Sequence, residues 1–523
     1  MSARAPLATT ALDEATPILV GVGQHVEREA ASATLSPVAL AAVAASKALA
    51  DSGRGAALAA LVDTVVAIRF FEHSTKGGEM VAHPFGCSDN VPRAIARRVG
   101  AAPRRAIYAD VGGQTPQRLV NRFCAEIQRG ETQAVLLVGA EAIATIKHAA
   151  RTQRVFDWRE EIGGECIDEW EKDKLSTPYE RAHGLFLPLR TYPLLEHARR
   201  RRRALTCAAY RAEMGALFAP FSAVAAANPY AQFPHARTAA ALATVDADNY
   251  LVSEPYTKAL VAQDAVNQGA AVVLTSVGVA RRLGLPPAQW AFLKSHADLD
   301  DRTVSARTLL ERSLAQELVL ERVLDAADAQ IEDIAHLDLY SCFPIAVFSA
   351  CDALGLDWQR GRALTLTGGL PFFGGPGNNY SMHAICEAVA RVRADRASTA
   401  LVVANGGYLS KHSAGLYAGR LDAPWRPVDC TDIAHRFAAI PAMPLADPAP
   451  ATGVIESYVM AMKKGRPEAV YVSAMTESGS ARFFARISNE DAASIAAIAS
   501  GEVFGRAIAV TAGEEGNVAR LSG

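Results

Sequence analysis

The sequence predicts a layered α/β protein of two similar halves, followed by a small antiparallel β-barrel. Short apolar strands alternate with helices from residue 17 to about 140. The same alternation returns between about 270 and 404, and hairpin-spaced strands follow residue 453. The chain has 523 residues, which is too long for a single core and agrees with several units.

The first half contains alternating strands and helices, then a long polar section. In chain order we predict strand 17–23, helix 37–50, strand 62–70, helix 92–100, strand 106–111, helix 116–129, strand 134–139 and strand 270–276. An insertion of about 145–250 interrupts the alternation, and insertions of this length often carry substrate contacts. We expect its arginine run, 199–203, to end or line a solvated helix.

The second half repeats the pattern of the first. We predict helix 305–326, strand 336–340, helix 345–354, strand 363–367, helix 381–393 and strand 400–404. The helix and strand that end at 140 resemble those that end at 406, which indicates a duplicated body. The predicted units are therefore 15–278, 279–420, and 421–523.

The last unit combines a linker with a barrel. Residues 422–450 are proline-rich and mixed, which is typical of a linker or a wrapping segment. For the barrel we predict strands 454–462, 469–475, 482–487 and 506–511, with a helix at 490–499.

Composition excludes several classes of protein. There are 53 basic and 55 acidic residues, so no net field would attract nucleic acid or an anionic membrane. Eight scattered cysteines, without CxxC or Cys/His spacing, favour a reduced protein and predict no metal site. No apolar run is long enough for a membrane span and no signal-like N-terminus is present, so we expect a soluble cytoplasmic protein.

A glycine-proline run is the most informative segment. Residues 369–377 contain four glycines and two prolines, and they precede Asn378 and Asn379 at the start of a predicted helix. Such a run indicates that the backbone passes close to something bulky. The two asparagines could cap the helix or donate amide hydrogen bonds to an oxyanion, and capping is the favoured alternative.

Four motifs in order carry a family resemblance. They are residues 112–117, 340–344, 368–379 and 404–407. With this order and spacing, residues 15–420 resemble the thiolase superfamily, most closely its thiolase-like protein type 1 branch, which is related to SCP2-thiolases. The resemblance implies two duplicated βαβαβαββ halves in an α-β-α-β-α arrangement. It also implies that the C-terminal segment is the extra β-barrel domain of that branch.

The resemblance also implies that the catalytic groups of thiolases are missing. The nucleophilic cysteine would correspond to Gly113 or a neighbour such as Gln114, and the histidine of the Gly-x-Pro motif to Gly375. The second cysteine would correspond to Ala404 or Asn405. We therefore expect no acyl-enzyme on the cysteine of the family. The other cysteines near the motifs, namely Cys124, Cys342 and Cys386, are expected to be packing residues.

Tyr340 is the leading catalytic candidate. It corresponds to the Asn or His that holds the thioester oxygen in the superfamily, and a phenol there could donate a hydrogen bond or, with a lowered pKa, act as a base. Tyr256 and Tyr380 are candidates for a second phenol in the site, and each of these tyrosines could instead be a core residue.

Further candidates lie on the same loops and helices. His412 could be a base or a CoA contact, and His383 could form a dyad with Cys386, although core packing is favoured there. The remaining predicted substrate or CoA contacts are Gly113, Gln114, Gly374, Gly375, Asn378, Asn405 and Lys411.

The predicted function is that of an acyl-CoA-processing protein of the acetyl-CoA acetyltransferase type, by resemblance, with a tyrosine-dependent aldol or retro-aldol step. The alternative is a catalytically inactive protein that binds CoA or a partner. A third hypothesis makes the barrel a built-in counterpart of the OB-fold partner of some SCP2-type enzymes. We expect a CoA thioester as substrate or ligand, no permanently bound cofactor, and a monomer or homodimer.

Overall fold

The first half is built around a mixed sheet. The computed structural model describes residues 7–8, 11–74, 85–170, 175–463 and 465–522. The first half contains β1 (Pro17–Val26), α1 (Pro37–Asp51), α2 (Gly55–Ala59), β2 (Thr64–Ala67), α3 (Val91–Arg98), β3 (Arg105–Tyr108), α4 (Thr115–Gln128), β4 (Ala134–Ala142) and α5 (Ile143–Thr152). The insertion follows, with β5 (Ile167–Asp168), α6 (Pro178–Ala182), α7 (Pro188–Arg202), α8 (Cys207–Ala227), α9 (Ala239–Ala243), β6 (Leu251–Glu254) and β7 (Tyr256–Thr257). The half closes with β8 (Asn267–Ser276) and α10 (Val277–Leu283).

The second half repeats this arrangement. It contains β9 (Phe292–Asp300), α11 (Leu314–Ala327), β10 (His336–Leu339), α12 (Pro344–Ala353), α13 (Tyr380–Ala394), β11 (Thr399–Gly406) and β12 (Lys411–Ala418). The first sheet has the order β1-β8-β4-β2-β3-β5 and the second β9-β12-β11-β10. In the first sheet β8 lies between β1 and β4 and is antiparallel to both, while β4 and β2 are parallel. In the second sheet β12 lies between β9 and β11 and is antiparallel to both, while β11 and β10 are parallel. The predicted duplication is confirmed, and α4 and α13 pack between the two sheets.

The C-terminal unit is a closed five-stranded barrel. After α14 (Thr431–Ala439) it contains β13 (Thr452–Lys463), β14 (Arg466–Met475), β15 (Arg482–Ile487), α15 (Ala492–Ala499), β16 (Ala507–Gly513) and β17 (Gly516–Leu521). The strand order is β14-β15-β17-β16-β13, and β13 closes the barrel on β14. All these pairs are antiparallel except β15 with β17. Strand β6 of the insertion also pairs with β13, so the insertion and the barrel share one sheet.

The structure corrects several predicted elements. Residues 363–367 form no strand, because the buried carboxylate of Asp338 accepts hydrogen bonds from the amides of Leu366 and Thr367 (2.8 and 3.0 Å). The helix predicted from residue 305 begins at Leu314, where the Ser313 hydroxyl accepts a hydrogen bond from the Gln316 amide. The linker contains α14, which packs its apolar residues into the core of the second half.

The arginine run ends a helix as predicted, but only its last part is solvated. Arg201, Arg202 and Arg203 are exposed, whereas Arg199 and Arg200 are buried. Arg199 contacts the Asp352 carboxylate, and its guanidinium lies 4.4 Å from the centroid of the Phe348 ring. In the part of the chain that the structure describes, none of the helices combines the length and the apolar character of a membrane span.

Candidate functional site

Three of the motif loops meet around Gly113. This residue precedes α4, Tyr340 follows β10, and Asn405 lies near the end of β11. A β-carbon on Gly113 would lie 2.2 Å from the Tyr340 hydroxyl and 2.6 Å from the Asn405 carbonyl oxygen. A β-carbon on Gly406 would lie 1.8 Å from Oε1 of Gln114. The structure therefore brings Gly113, Gln114, Tyr340 and Asn405 together, and the phenol of Tyr340 fills the space of a side chain at residue 113.

Tyr340 is a neutral phenol in this site. Only 8% of its surface is exposed, and burial raises its pKa well above 10. No hydrogen bond joins its hydroxyl to another described residue. The lowered pKa that a base would need is therefore absent, and the hydroxyl is suited to donate a hydrogen bond.

A second tyrosine, which no sequence motif predicts, reaches the site from the insertion. The Tyr192 hydroxyl on α7 donates to the Gly407 carbonyl (3.2 Å) and accepts from the Asn405 amide nitrogen and the Leu409 backbone amide, each at 3.1 Å. Tyr192 belongs to no motif, so only the three-dimensional contact reveals it. Its hydroxyl fixes the orientation of the Asn405 side chain.

Two buried side-chain oxygens remain unpaired in this region. Oδ1 of Asn405 and Oε1 of Gln114 have no hydrogen-bond partner among the described residues. Buried polar atoms are usually satisfied by protein, water or a ligand, so each of these two oxygens can still accept a hydrogen bond from a further donor.

Cys342 lies beside this group but is not a thiolate. Its sulfur is 3.5 Å from the Tyr192 hydroxyl and 3.8 Å from the Asn405 amide nitrogen, and part of its surface is exposed. Burial raises its pKa to about 12. The neutral thiol is a weak nucleophile.

The glycine-proline run is held by contacts with the segment 262–268. Gly374 has a φ of 116°, and a β-carbon there would lie 2.5 Å from Oε1 of Gln268, so the position requires glycine. The Gly375 amide donates to the Gln263 carbonyl (2.8 Å). The Gly375 amide is therefore engaged within the protein and is not free for the predicted substrate or CoA contact at this residue.

Asn378 joins two parts of the protein rather than capping a helix. Its Oδ1 accepts from the Gly112 amide (3.0 Å), while its amide nitrogen donates to the Arg69 carbonyl (2.8 Å) and the Ser74 hydroxyl (2.9 Å). Both predicted roles, cap and oxyanion donor, are therefore replaced by a structural role that fixes the loop before α4.

The histidine candidates lie in buried networks of their own. Nε2 of His412 contacts the Ser313 hydroxyl (2.8 Å) and the Leu409 carbonyl (3.2 Å), and burial lowers its pKa to about 4. Nδ1 of His383 contacts Oε1 of Gln24 (2.7 Å), and burial lowers its pKa to about 3. Both imidazoles are neutral near pH 7, and neither contacts Tyr340.

Lys411 and the two candidate second phenols, Tyr256 and Tyr380, also bond within the protein. The buried Lys411 ammonium donates to Asp110 (3.0 Å) and to the Val111 carbonyl (3.1 Å), so it steadies the loop before Gly112 and is engaged within the protein at a predicted CoA contact. The Tyr380 hydroxyl contacts Oγ1 of Thr367 (2.6 Å), and the Tyr256 hydroxyl donates to Glu196 (2.6 Å). Tyr340 alone of the three tyrosines has an unengaged hydroxyl among the described residues.

Among the described residues, no cluster of His, Cys, Asp or Glu could hold a metal ion. Within the described part of the chain, the site offers a neutral hydrogen-bond donor, Tyr340, and two unpaired amide oxygens, and the nearby thiol of Cys342 is held in its neutral form.

Comparisons with known proteins agree with the fold. Residues 432–515 match the family model of the thiolase-like protein type 1 additional C-terminal domain. A comparison with curated protein sequences gives no match.

Solved structures include a similar protein over nearly the whole chain. A monomeric SCP2-thiolase-like protein type 1 from Mycobacterium smegmatis is 37% identical, with a TM-score of 0.83, over 98% of this chain and 100% of that one. The Ltp2–ChsH2(DUF35) aldolase is 18% identical, with a TM-score of 0.54, over 77% of this chain and 98% of that one. An acetyl-CoA acetyltransferase from Syntrophomonas wolfei is 15% identical, with a TM-score of 0.52, over 77% of this chain and 98% of that one. The last two likenesses concern the fold alone.

Proposed function

The chain belongs to the SCP2-thiolase-like proteins type 1, and on that premise we propose that it binds an acyl-CoA thioester without forming an acyl-enzyme. In this proposal the Tyr340 hydroxyl donates a hydrogen bond to the thioester carbonyl oxygen. The observation that carries the proposal is the neutral Tyr340 hydroxyl, which has no hydrogen-bond partner in the described part of the chain and occupies the space of a side chain at residue 113.

The polar atoms around Tyr340 support this ligand class. A thioester carbonyl is an acceptor and matches the phenol donor, while amide N–H groups such as those of a pantetheine arm match the unpaired oxygens of Asn405 and Gln114. A ligand with both groups would satisfy buried atoms that are otherwise left without partners.

The absence of an acyl-enzyme follows from the state of the nearby thiols. Gly113 has no side chain, and Cys342 is held as a thiol by its raised pKa. Cys386 is buried between the carbonyls of Gly23 and Ala271, and burial raises its pKa as well. Thiolysis through any of these groups would need a thiolate that the site does not stabilise.

Calorimetry with acetyl-CoA tests the binding proposal. We expect the wild-type protein to bind, and Tyr340→Phe to bind about tenfold more weakly, because one hydrogen bond to the ligand is lost. Tyr417→Phe is the matched control, since its hydroxyl donates to Gln117 within the body of the protein (2.8 Å). No binding by the wild type, or equal affinity of wild type and Tyr340→Phe, would contradict the proposal.

Carbon–carbon chemistry is a consequence that this binding mode permits. A neutral phenol at the carbonyl oxygen stabilises the enolate formed when a β-hydroxyacyl-CoA undergoes retro-aldol cleavage. The base in such a step is not Tyr340, whose pKa is raised, so the β-hydroxyl proton passes to water as the Cα–Cβ bond breaks. The products are a carbonyl compound and the enolate, which takes a proton from water at Cα to give the shortened acyl-CoA.

Binding without turnover is the second candidate function. It is favoured by the buried, neutral imidazoles of His383 and His412, which leave the described site without a poised base. Assays with β-hydroxyacyl-CoA and β-ketoacyl-CoA separate the two functions. Cleavage that is lost in Tyr340→Phe supports the aldol step, while binding of both ligands without products supports the silent protein.

A further inference from the structure

We infer that the C-terminal barrel holds the turn at residues 407–410, beside the candidate site, through the positioning residues Arg482 and Arg307. The effect on ligand binding rests on the proposed function, whereas the effect on the turn itself does not. Two separate routes of contact lead from the barrel to the same residue, Leu409.

Leu409 needs external support for its conformation. It has a φ of 56°, in the left-handed region that non-glycine residues occupy only when their surroundings impose it. Its side chain is fully buried. Its amide donates to the Tyr192 hydroxyl (3.1 Å), and its carbonyl accepts from the Arg307 guanidinium and from His412. Both backbone polar groups of this strained residue are thus held by other parts of the chain.

The first route runs through two buried arginines. Arg482, on β15, is 0% exposed and forms a bidentate pair with Glu456 on β13, with both distances 2.7 Å. Its remaining nitrogen donates to the carbonyls of Val304, Ser305 and Arg307 in the second half. Arg307 in turn donates to the carbonyls of Tyr408 (2.8 Å) and Leu409. A barrel side chain therefore fixes the backbone of the residue that clamps the turn.

The second route runs through α7 of the insertion. The Ser457 hydroxyl on β13 donates to the Leu194 carbonyl (2.7 Å). The Arg200 guanidinium donates to the Tyr458 hydroxyl (3.2 Å) and to the Gly501 carbonyl (3.1 Å). Tyr192, on the same helix, then contacts Gly407 and Leu409.

The site side chains lie directly behind this turn. Tyr192 also accepts from the Asn405 amide nitrogen, and Cys342 is 3.5 Å from the same hydroxyl. Release of Leu409 would therefore loosen the wall formed by Tyr192, Asn405 and Cys342. Cys342 is a built-in reporter of that loosening, because only part of its surface is exposed in the closed turn.

The experiment measures alkylation of each cysteine in the native full-length protein by peptide mass spectrometry with iodoacetamide. We expect Arg482→Met to raise the rate at Cys342 about tenfold, because the Arg307 carbonyl loses a buried donor and the clamp weakens. Cys166, which is exposed, and Cys124, which is buried, should keep their wild-type rates. Arg520→Met, on the exposed face of β17, is the matched control and should change nothing.

A reaction at the buried Cys124 would mean that Arg482→Met loosens the whole fold. A second variant is therefore needed to test the turn alone. Arg307→Lys keeps a buried cation but removes the guanidinium geometry that serves two carbonyls, and a rise at Cys342 alone would support the inference. An unchanged rate at Cys342, or equal rises at Cys342 and Cys124 in both variants, would overturn it. Acetyl-CoA affinity is measured separately, so failure of the proposed function would leave the labelling result intact.

Discussion

The Tyr340 hydroxyl lies 2.2 Å from the position that a β-carbon on Gly113 would take. The two residues exclude each other: a side chain at residue 113 and a phenol at residue 340 cannot occupy the same space. A tyrosine of this size is compatible with the loop only when residue 113 is glycine, because a side chain there would clash with the phenol.

A mutant cycle tests this exclusion. We expect Gly113→Ala to lower the free energy of unfolding by about 1–3 kcal/mol through overpacking, and the loss to shrink in a Tyr340→Ala background. Urea denaturation of the four proteins measures the coupling. Gly375→Ala is the control and should cost less, because the nearest atom to its β-carbon would be 3.3 Å away. Additive losses in the cycle would show that the two residues do not compete.

We expect the free energy of unfolding to depend on pH through Glu196. It is fully buried, accepts hydrogen bonds from Tyr210 and Tyr256 (2.6 Å each), and burial raises its pKa from 4.5 to about 7. The folded state therefore binds more protons than the unfolded state between these values, so this contribution to stability is complete below pH 4.5 and is lost as pH rises through about 7.

Glu196→Gln should remove that contribution. Urea denaturation between pH 5 and pH 8 should show the wild type losing stability relative to the variant, with a slope of at most about 1.4 kcal/mol per pH unit. Glu332→Gln, at an exposed position, should run parallel to the wild type. Parallel curves for Glu196→Gln and wild type would refute the assignment.

Strand β5 predicts a monomer in solution. It covers the edge of the first sheet by pairing with β3, and the Glu169 amide donates to the Tyr108 carbonyl (3.0 Å). Uncovered edge strands promote self-association. We expect light scattering to give a mass near 55.4 kDa for the wild type and a larger, concentration-dependent mass for Glu169→Pro.

Glu169→Gln distinguishes the effect of the strand pairing at β5 from the effect of the ion pair between Glu169 and Arg122. This change keeps the backbone donor and removes the negative charge that pairs with Arg122 (2.7 Å), so the variant should stay monomeric. A dimeric wild type, or identical masses for all three proteins, would refute the role of β5.

Much of the architecture was accessible from the sequence because it follows local patterns. Apolar periodicity predicted both halves and the barrel, and glycine spacing identified the loops around Gly113 and Gly374. The strand predicted at 363–367 was wrong although the segment has the alternating apolar pattern of a strand. Its amides donate to the carboxylate of Asp338, which is distant in sequence, and not to a neighbouring strand. Local sequence does not report such a partner.

The site was predictable only in part for the same reason. The motifs identified four residues that the fold brings together, namely Gly113, Gln114, Tyr340 and Asn405. Tyr192 comes from an insertion without a motif, and the roles of Lys411 and His412 depend on Asp110 and Ser313, which are distant in sequence. Burial, which raises the pKa of Tyr340 and lowers that of His412, is a property of the assembled fold.

The infrared spectrum of bound acetyl-CoA with an isotope label at its thioester carbonyl tests the central claim most directly. A hydrogen bond from Tyr340 should lower the carbonyl stretching frequency in the wild-type complex, and the frequency should return toward that of the free thioester in Tyr340→Phe. Tyr417→Phe should keep the wild-type spectrum. The same carbonyl frequency in the wild type and Tyr340→Phe, with the ligand bound to both, would contradict the account.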